Sequence, residues 1–373
     1  MKICITGSHF TPAQAVIDEL KKDNGVEIIY IGRKYTREGD KSVSVESQVL
    51  PKLGVKFIPI TTGRLQRSFT RYTIPSLFKI PFGFLQSFYL ILKEKPDVIL
   101  SFGGYVAVPV VISSWLLSIP IIIHEQTLVS GLANTISSFF ANKIAISFEK
   151  NKSFEKCKTI LTGNPMRKEL FDDKNSEFIS FFEKAKKDKL PVILITGGNQ
   201  GSHMINESVN LCLENLLKIA FVIHQTGDSK FDDFRKLEDR AKTLNNNERY
   251  IIKKWIDGED FGMVLKNADL AVSRAGINSL IEFAYFGVPT LIIPIPFLYK
   301  NEQMVNAKFF RELGLCEVLE QSNLESENLL KSIKAMLGNL EILKNKASGA
   351  KSVVIEDAGK RLALETILLA NGR

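Results

Sequence analysis

Residues 273–303 read SRAGINSLIEFAYFGVPTLIIPIPFLYKNEQ, and this stretch decides the fold. A short strand, Leu270 to Val272, runs into Ser273-Arg274-Ala275-Gly276. A helix is expected to open there and to carry Glu282 before Phe286-Gly287, with a buried strand from Pro289 to Ile295 behind it. Strand, tight turn, helix and strand in that order make one unit of a parallel α/β sheet. Gly276 lets a ligand approach the backbone, and the helix start offers unpaired N–H groups to an anion. Ser279, in the first turn, adds a hydroxyl for a phosphate. Glu282, one turn further on, can accept hydrogen bonds from sugar hydroxyls. A phosphate cradle with a hydroxyl reader behind it suits a nucleotide-sugar site.

Working outward, the rest of the second half repeats the pattern. Pro191 to Thr196, Ala220 to Gln225 and Tyr250 to Lys253 are predicted strands, with a helix ending near Leu216. Gly197-Gly198-Asn199-Gln200-Gly201-Ser202 is a glycine loop running into that helix. It outlines a phosphate site, although the Lys-Ser/Thr of a P-loop is missing. The first half alternates in the same way. Lys2 to Thr6, Glu27 to Ile31, Lys56 to Ile60, Asp97 to Ser101, Ile121 to His124 and Lys143 to Ser147 read as strands, and Pro12 to Lys22 as a helix. Two Rossmann-like halves follow, with ligands expected at the carboxyl ends of their strands and a cleft between the halves for two substrates. The boundary is placed near Gly163-Asn164-Pro165, giving domains of 1–163 and 164–353. A final helix, within 354–373, is expected to return to the first.

Three loops of the first half carry polar groups. His9, in Gly7-Ser8-His9, sits where a general base near neutral pH is useful; an ordinary loop histidine is the plain alternative. Gly103-Gly104-Tyr105 follows a strand, and glycine pairs there permit close backbone approach or simply make a βα turn. His124-Glu125-Gln126 ends another strand. Three polar residues there are not expected in a core, and Glu125 is a candidate to orient a base or bind a sugar hydroxyl.

Composition bounds the class. The chain has 373 residues, 45% apolar and 24% charged, with a net charge of +8. That length suits two α/β domains, and the positive charge suits an acidic partner. No basic tract interleaved with aromatics points to nucleic acid. Cys4, Cys157, Cys212 and Cys316 lack metal-ligand spacing and read as reduced thiols. The histidines do not pair at ligand spacing and Asp172-Asp173 lies in a polar stretch, so no metal or cofactor is expected. The apolar run Val106 to Ile123 is broken by Pro109 and Pro120, which favours a packed helix and strand over a membrane span. The segment 72–92 differs in character. It is rich in Phe and Leu and flanked by Arg67, Arg71, Lys79, Lys93 and Lys95, as an interfacial contact with an anionic membrane requires. Phe84 and Phe88, four apart, are expected on one helix face.

The ordered set GSHFTPA (7–13), GGYVAVP (103–109), HEQ (124–126) with GLAN (131–134), GNPMR (163–167), GGNQGS (197–202), HQTG (224–227), SRAG (273–276) and NEQ (301–303) resembles the MurG family. These are peripheral membrane glycosyltransferases that make lipid II. The resemblance covers nearly the whole chain. It implies a GT-B fold and transfer of N-acetylglucosamine from its UDP donor to the 4-hydroxyl of the muramyl unit of lipid I (undecaprenyl-pyrophosphoryl muramyl peptide), with inversion, at the cytoplasmic face of the cell membrane. By the same resemblance His9 is the base and Glu125 supports catalysis or the acceptor. Arg167 faces the phosphates, Trp255 caps the uracil and the Ile256 backbone reads its edge. Ile277 and Ser279 meet phosphates, Glu282 the ribose and Gln303 the transferred sugar. Asn199 and Gln200 belong to the donor loop, and Ser8, Gly103, Gly104, Tyr105 and Asn134 to the acceptor side. The chain departs from the family pattern at Ser8, Thr127, Asn199 and Glu302, and in a shorter first loop. Other readings are a transferase for another lipid acceptor, a GT-B nucleotide-sugar epimerase and a noncatalytic binding subunit.

Overall fold

The computed structural model describes residues 1–35, 43–63, 73–172, 177–198, 200–228 and 230–372. The chain divides into two compact units, Met1–Arg167 with Ile355–Arg373, and Lys168–Val354.

In the first unit the order is β1 (Lys2–Thr6), α1 (Phe10–Leu20), β2 (Glu27–Gly32), α2 (Val45–Val49), β3 (Lys56–Pro59), α3 (Thr73–Glu94), β4 (Val98–Ser101), α4 (Ala107–Leu116), β5 (Ile121–Glu125), α5 (Leu132–Ser138), β6 (Lys143–Ile146) and β7 (Thr159–Leu161). The described strands form one sheet in the order β3-β2-β1-β4-β5-β6-β7, parallel throughout. Strands buried on both faces need near-continuous apolar runs, and KICIT, VILS and III at the start of β5 supply them. The sheet is covered on one side by a core that includes Ile5, Val16, Tyr30 and Leu100, and on the other by one that includes Ile31, Ile99, Val110 and Ile123.

The second unit runs α6 (Ile179–Asp188), β8 (Val192–Thr196), α7 (His203–Leu217), β9 (Phe221–Gln225), α8 (Asp233–Ala241), β10 (Tyr250–Lys253), α9 (Gly258–Asn267), β11 (Leu270–Ser273), α10 (Ile277–Phe286), β12 (Thr290–Ile292), α11 (Glu302–Glu312), β13 (Cys316–Val318), α12 (Ser326–Leu337) and α13 (Leu340–Gly349). Its sheet, β10-β9-β8-β11-β12-β13, is again parallel. The last helix, α14 (Ala358–Asn371), belongs to the first unit and packs on α1.

Both sheets wind outward in two directions from their first strand. The order reverses between β1 and β4 in one and between β8 and β11 in the other. Such switch points leave a crevice at the strands' carboxyl ends. The glycine-bearing loops singled out in the sequence, after β1, β4, β8 and β11, flank these two crevices.

The strand expectations hold to within a residue or two, except that β12 ends at Ile292 rather than Ile295, and except β7 and β13. These were not anticipated, because three-residue edge strands carry no readable alternation. The run Val106 to Ile123 becomes α4 and the start of β5, and no helix among the described residues is long and apolar enough to cross a membrane.

Candidate active site

In the first unit the loops after β1 and β4 lie against each other. Ser8 N–H donates to Gly103 O at 3.0 Å. Gly104 has φ +82, and a Cβ there would sit 1.9 Å from Ser8 Oγ, so this contact demands glycine. Gly103 is pressed in the same way on the Asn134 amide. Ser8, Gly103, Gly104 and Asn134 are thereby gathered at one sheet edge. His9 caps the start of α1 with its ring reached by solvent. Its Nδ1 lies 2.9 Å from the side-chain amide of Gln126. Crowding by the protein, and secondarily the Arg33 guanidinium, hold the imidazole pKa below the usual histidine value.

Several expectations need correction here. His124, Glu125 and Gln126 are buried rather than solvated. His124 Nε2 lies 3.1 Å from Gly163 O and 3.3 Å from Ser147 Oγ. The Glu125 carboxylate accepts four hydrogen bonds, from Thr127 N–H and Oγ1–H, Gly131 N–H and Asn134 Nδ2–H, at 2.8–3.1 Å. Burial raises its pKa, and the Thr127 and Asn134 bonds partly offset that. Glu125 therefore holds the loop entering α5, and the group beside His9 is Gln126. Asn134 spends its amide N–H groups on His124 O and Glu125, so it acts first as a brace. Tyr105 packs against the apolar core behind β4.

In the second unit the loop after β8 folds tightly. A Cβ on Gly201 (φ +70) would lie 2.0 Å from Thr226 O, so the loops after β8 and β9 are in backbone contact. Arg274, at the end of β11, is buried. Its Nε–H donates to Ser202 Oγ and its Nη1–H to Ile293 O, each at 3.0 Å. Burial lowers its pKa to about 10, so it stays charged at neutral pH. No carboxylate among the described residues pairs with it. Helix α10 begins three residues later at Ile277, with Gly276 in the N-cap position and no side-chain hydrogen bond to the helix start. A Cβ on Gly276 would meet open space. A buried cation, an uncapped helix start and an open approach together favour an anion at this edge.

Around that edge, Ile277 is buried, Ser279 half-buried in the first turn and Glu282 buried one turn on. Gln303 opens α11. Its oxygen accepts from Ile295 N–H at 3.0 Å, which leaves the amide nitrogen for a ligand. At Ile256 the structure narrows which backbone group can serve. Its N–H donates to Gln225 Oε1 at 3.0 Å, so only its carbonyl remains to read a base edge. Gln200 is exposed and Arg167, which ends the first segment of the first unit, is half-buried. Asn199 lies outside the described residues.

The family profile for the glycosyltransferase family 28 N-terminal domain matches residues 3–146, and that for its C-terminal domain matches 192–362. A Clostridium botulinum protein named UDP-N-acetylglucosamine–N-acetylmuramyl-(pentapeptide) pyrophosphoryl-undecaprenol N-acetylglucosamine transferase is 35% identical over 356 residues, 94% of this chain and 95% of the relative. The chain belongs to the MurG family of glycosyltransferases. The crystal structure of Acinetobacter baumannii MurG has the same fold, with a TM-score of 0.73 at 23% identity over 98% of this chain and 99% of that one. A Neisseria meningitidis UDP-GlcNAc 2-epimerase bound to UDP-GlcNAc shares it too, with a TM-score of 0.64 at 18% identity over 99% and 100%. The two-domain α/β architecture is thus of the GT-B type.

Relative to the MurG pattern, Trp255 stands in a loop after β10 and is 43% exposed. Uracil stacking on an exposed indole changes its emission. UDP is therefore expected to quench tryptophan fluorescence, and Trp255→Ala to lose most of that quenching and weaken UDP binding. Full quenching and full affinity in the variant would remove Trp255 from the site.

Helix α3 presents Phe78, Phe82, Leu85, Tyr89 and Leu92 to solvent, with Phe78 78% exposed. Their spacing of four, three, four and three draws one stripe along the helix. Phe88 is at its margin and Phe84 is half-buried, so those two do not define the face. The outer side of α4 and the end of α5 add exposed Trp115, Leu116 and Phe139, which the sequence reading did not mark. Trp115, late in an apolar run, was the available signal. Lys93 and Lys95 are exposed beside the stripe. Tyr72, Arg67 and Arg71 lie outside the described residues.

Proposed function

We propose that this chain transfers N-acetylglucosamine from UDP-N-acetylglucosamine to the 4-hydroxyl of the muramyl unit of lipid I, with inversion, on the cytoplasmic face of the cell membrane. The observation that carries this is the 35% identity, across 94% of the chain, to a relative named for that transfer. The two sheet edges support it chemically. In the second unit, negative charge grows on the diphosphate as the sugar leaves. Arg274 and the uncapped start of α10 meet that charge, with Ser279 in the first turn, and no metal is assigned. Glu282 and Gln303 take sugar hydroxyls. In the first unit, the neutral His9 imidazole takes the proton of the attacking hydroxyl. One displacement at the anomeric carbon inverts it. NMR of the isolated product tests the finer claim. A β-linkage to the 4-hydroxyl is expected; an α-linkage or another position refutes it.

The stripe on α3 is read as the membrane contact. Aromatic and aliphatic side chains enter the headgroup boundary while the lysines meet anionic lipid. Phe78→Asp with Leu85→Asp is expected to abolish cosedimentation with anionic vesicles and to leave activity on a soluble acceptor analogue intact. Undiminished cosedimentation would place the contact elsewhere. The same stripe weighs against the epimerase alternative, since that reaction on a soluble nucleotide sugar needs no membrane face.

A further inference from the structure

We propose that Gln126 is the positioning residue that fixes the tautomer of His9. Its amide oxygen accepts from Nδ1–H, which leaves the Nε2 lone pair to take the acceptor proton. This rests on the reading of His9 as base.

The two side chains are 117 residues apart in sequence and their nearest polar atoms are 2.9 Å apart. The Gln126 amide is buried, and the amide atom assigned as oxygen is turned away from His9, where it has no hydrogen-bond partner. The oxygen and nitrogen of an amide are nearly equal in size and shape, so its orientation follows from the hydrogen-bond network. With nitrogen toward His9, the amide N–H donates to Nδ1. The imidazole proton then sits on Nε2, no lone pair faces the acceptor, and a buried oxygen is left without a donor. With oxygen toward His9, Nδ1–H satisfies that oxygen and Nε2 is free. Only the second arrangement makes a base, and in it the buried amide oxygen gains a donor.

The surroundings explain why an amide serves here. Glu125, the adjacent carboxylate, is held by Thr127, Gly131 and Asn134. Among the described residues, the charged and titratable groups acting on His9 are Arg33 and His124. Arg33 contacts Glu46 at 3.3 Å, and His124 is held by Gly163 O and Ser147. Among the described residues no carboxylate acts on the ring. A neutral partner sets the tautomer without stabilising imidazolium, so the base stays unprotonated at working pH.

The experiment is ¹⁵N NMR of the imidazoles together with pH–rate profiles. The chain has four histidines, so the His9 signals are assigned by their loss in His9→Asn. In the wild type, Nδ1 protonated and Nε2 unprotonated is expected. Gln126→Leu should shift population toward the Nε2–H form and lower kcat roughly 10- to 100-fold, part of the general-base contribution, with the KM for UDP-N-acetylglucosamine unchanged. Gln126→Glu should restore the Nδ1–H form and most of kcat, and move the acidic limb of the profile upward, because a carboxylate stabilises the imidazolium. A wild-type Nε2–H tautomer, or a tautomer indifferent to Gln126→Leu, overturns the proposal. If the tautomer follows Gln126 but His9→Asn keeps its kcat, the lock stands and the base assignment falls.

Discussion

Replacing His9 with alanine is expected to lower kcat by about 10²–10⁴-fold and to leave donor affinity nearly unchanged. A sugar hydroxyl is too weak an acid to ionise alone near pH 7, so the proton must leave as the new bond forms. Only the neutral imidazole accepts it. In the wild type, activity therefore rises with pH through the His9 pKa. Because crowding and Arg33 hold that pKa down, the acidic limb should lie below the ordinary histidine value of about 6.5. In His9→Ala the limb should vanish. A variant with near-normal kcat and an unchanged limb would return His9 to an ordinary loop residue. Glu125 would not replace it easily, since its carboxylate is already committed to four donors.

The second large effect is expected at Glu282. It is buried in α10, one turn behind the helix start and within the same edge as Arg274. Hydrogen bonds from sugar hydroxyls to a carboxylate contribute about 1.5–3 kcal/mol. Glu282→Ala should then weaken UDP-N-acetylglucosamine binding roughly ten- to hundredfold, with an unchanged melting profile as the check on the fold. Calorimetry that finds wild-type affinity would remove Glu282 from the donor site.

The central strands and the four loops at their carboxyl ends were legible in the sequence, because each joins an apolar run to glycine and polar residues at a fixed place. The partners inside those loops were not. At the end of β5, neighbouring side chains point different ways. The order Glu125-Gln126 cannot say which of them meets His9, and the structure gives that place to Gln126. The Ile256 backbone was assigned to the base edge, but the sequence could not show that Gln225, on the neighbouring β9, takes its N–H and leaves the carbonyl. Arg274 was visible as a cation near a helix start, but its tie to Ser202, 72 residues away, was not. On α3 the composition pointed to an exposed face, while the phase of the helix decides that Phe78, Phe82, Leu85 and Tyr89 lie on it and Phe84 only partly.

The most direct test of the proposed transfer supplies UDP-N-acetylglucosamine, isotopically labelled in the sugar, to the purified full-length chain. Anionic vesicles carry either lipid I, diacylglycerol or no acceptor, and mass spectrometry reads both the lipid and the nucleotide fractions. The expected result is a gain of one labelled N-acetylhexosamine on lipid I, release of unlabelled UDP in equal amount, and no product with the other vesicles. Label on diacylglycerol, or label retained on a nucleotide sugar epimerised at C2 with lipid I unchanged, would contradict the assignment.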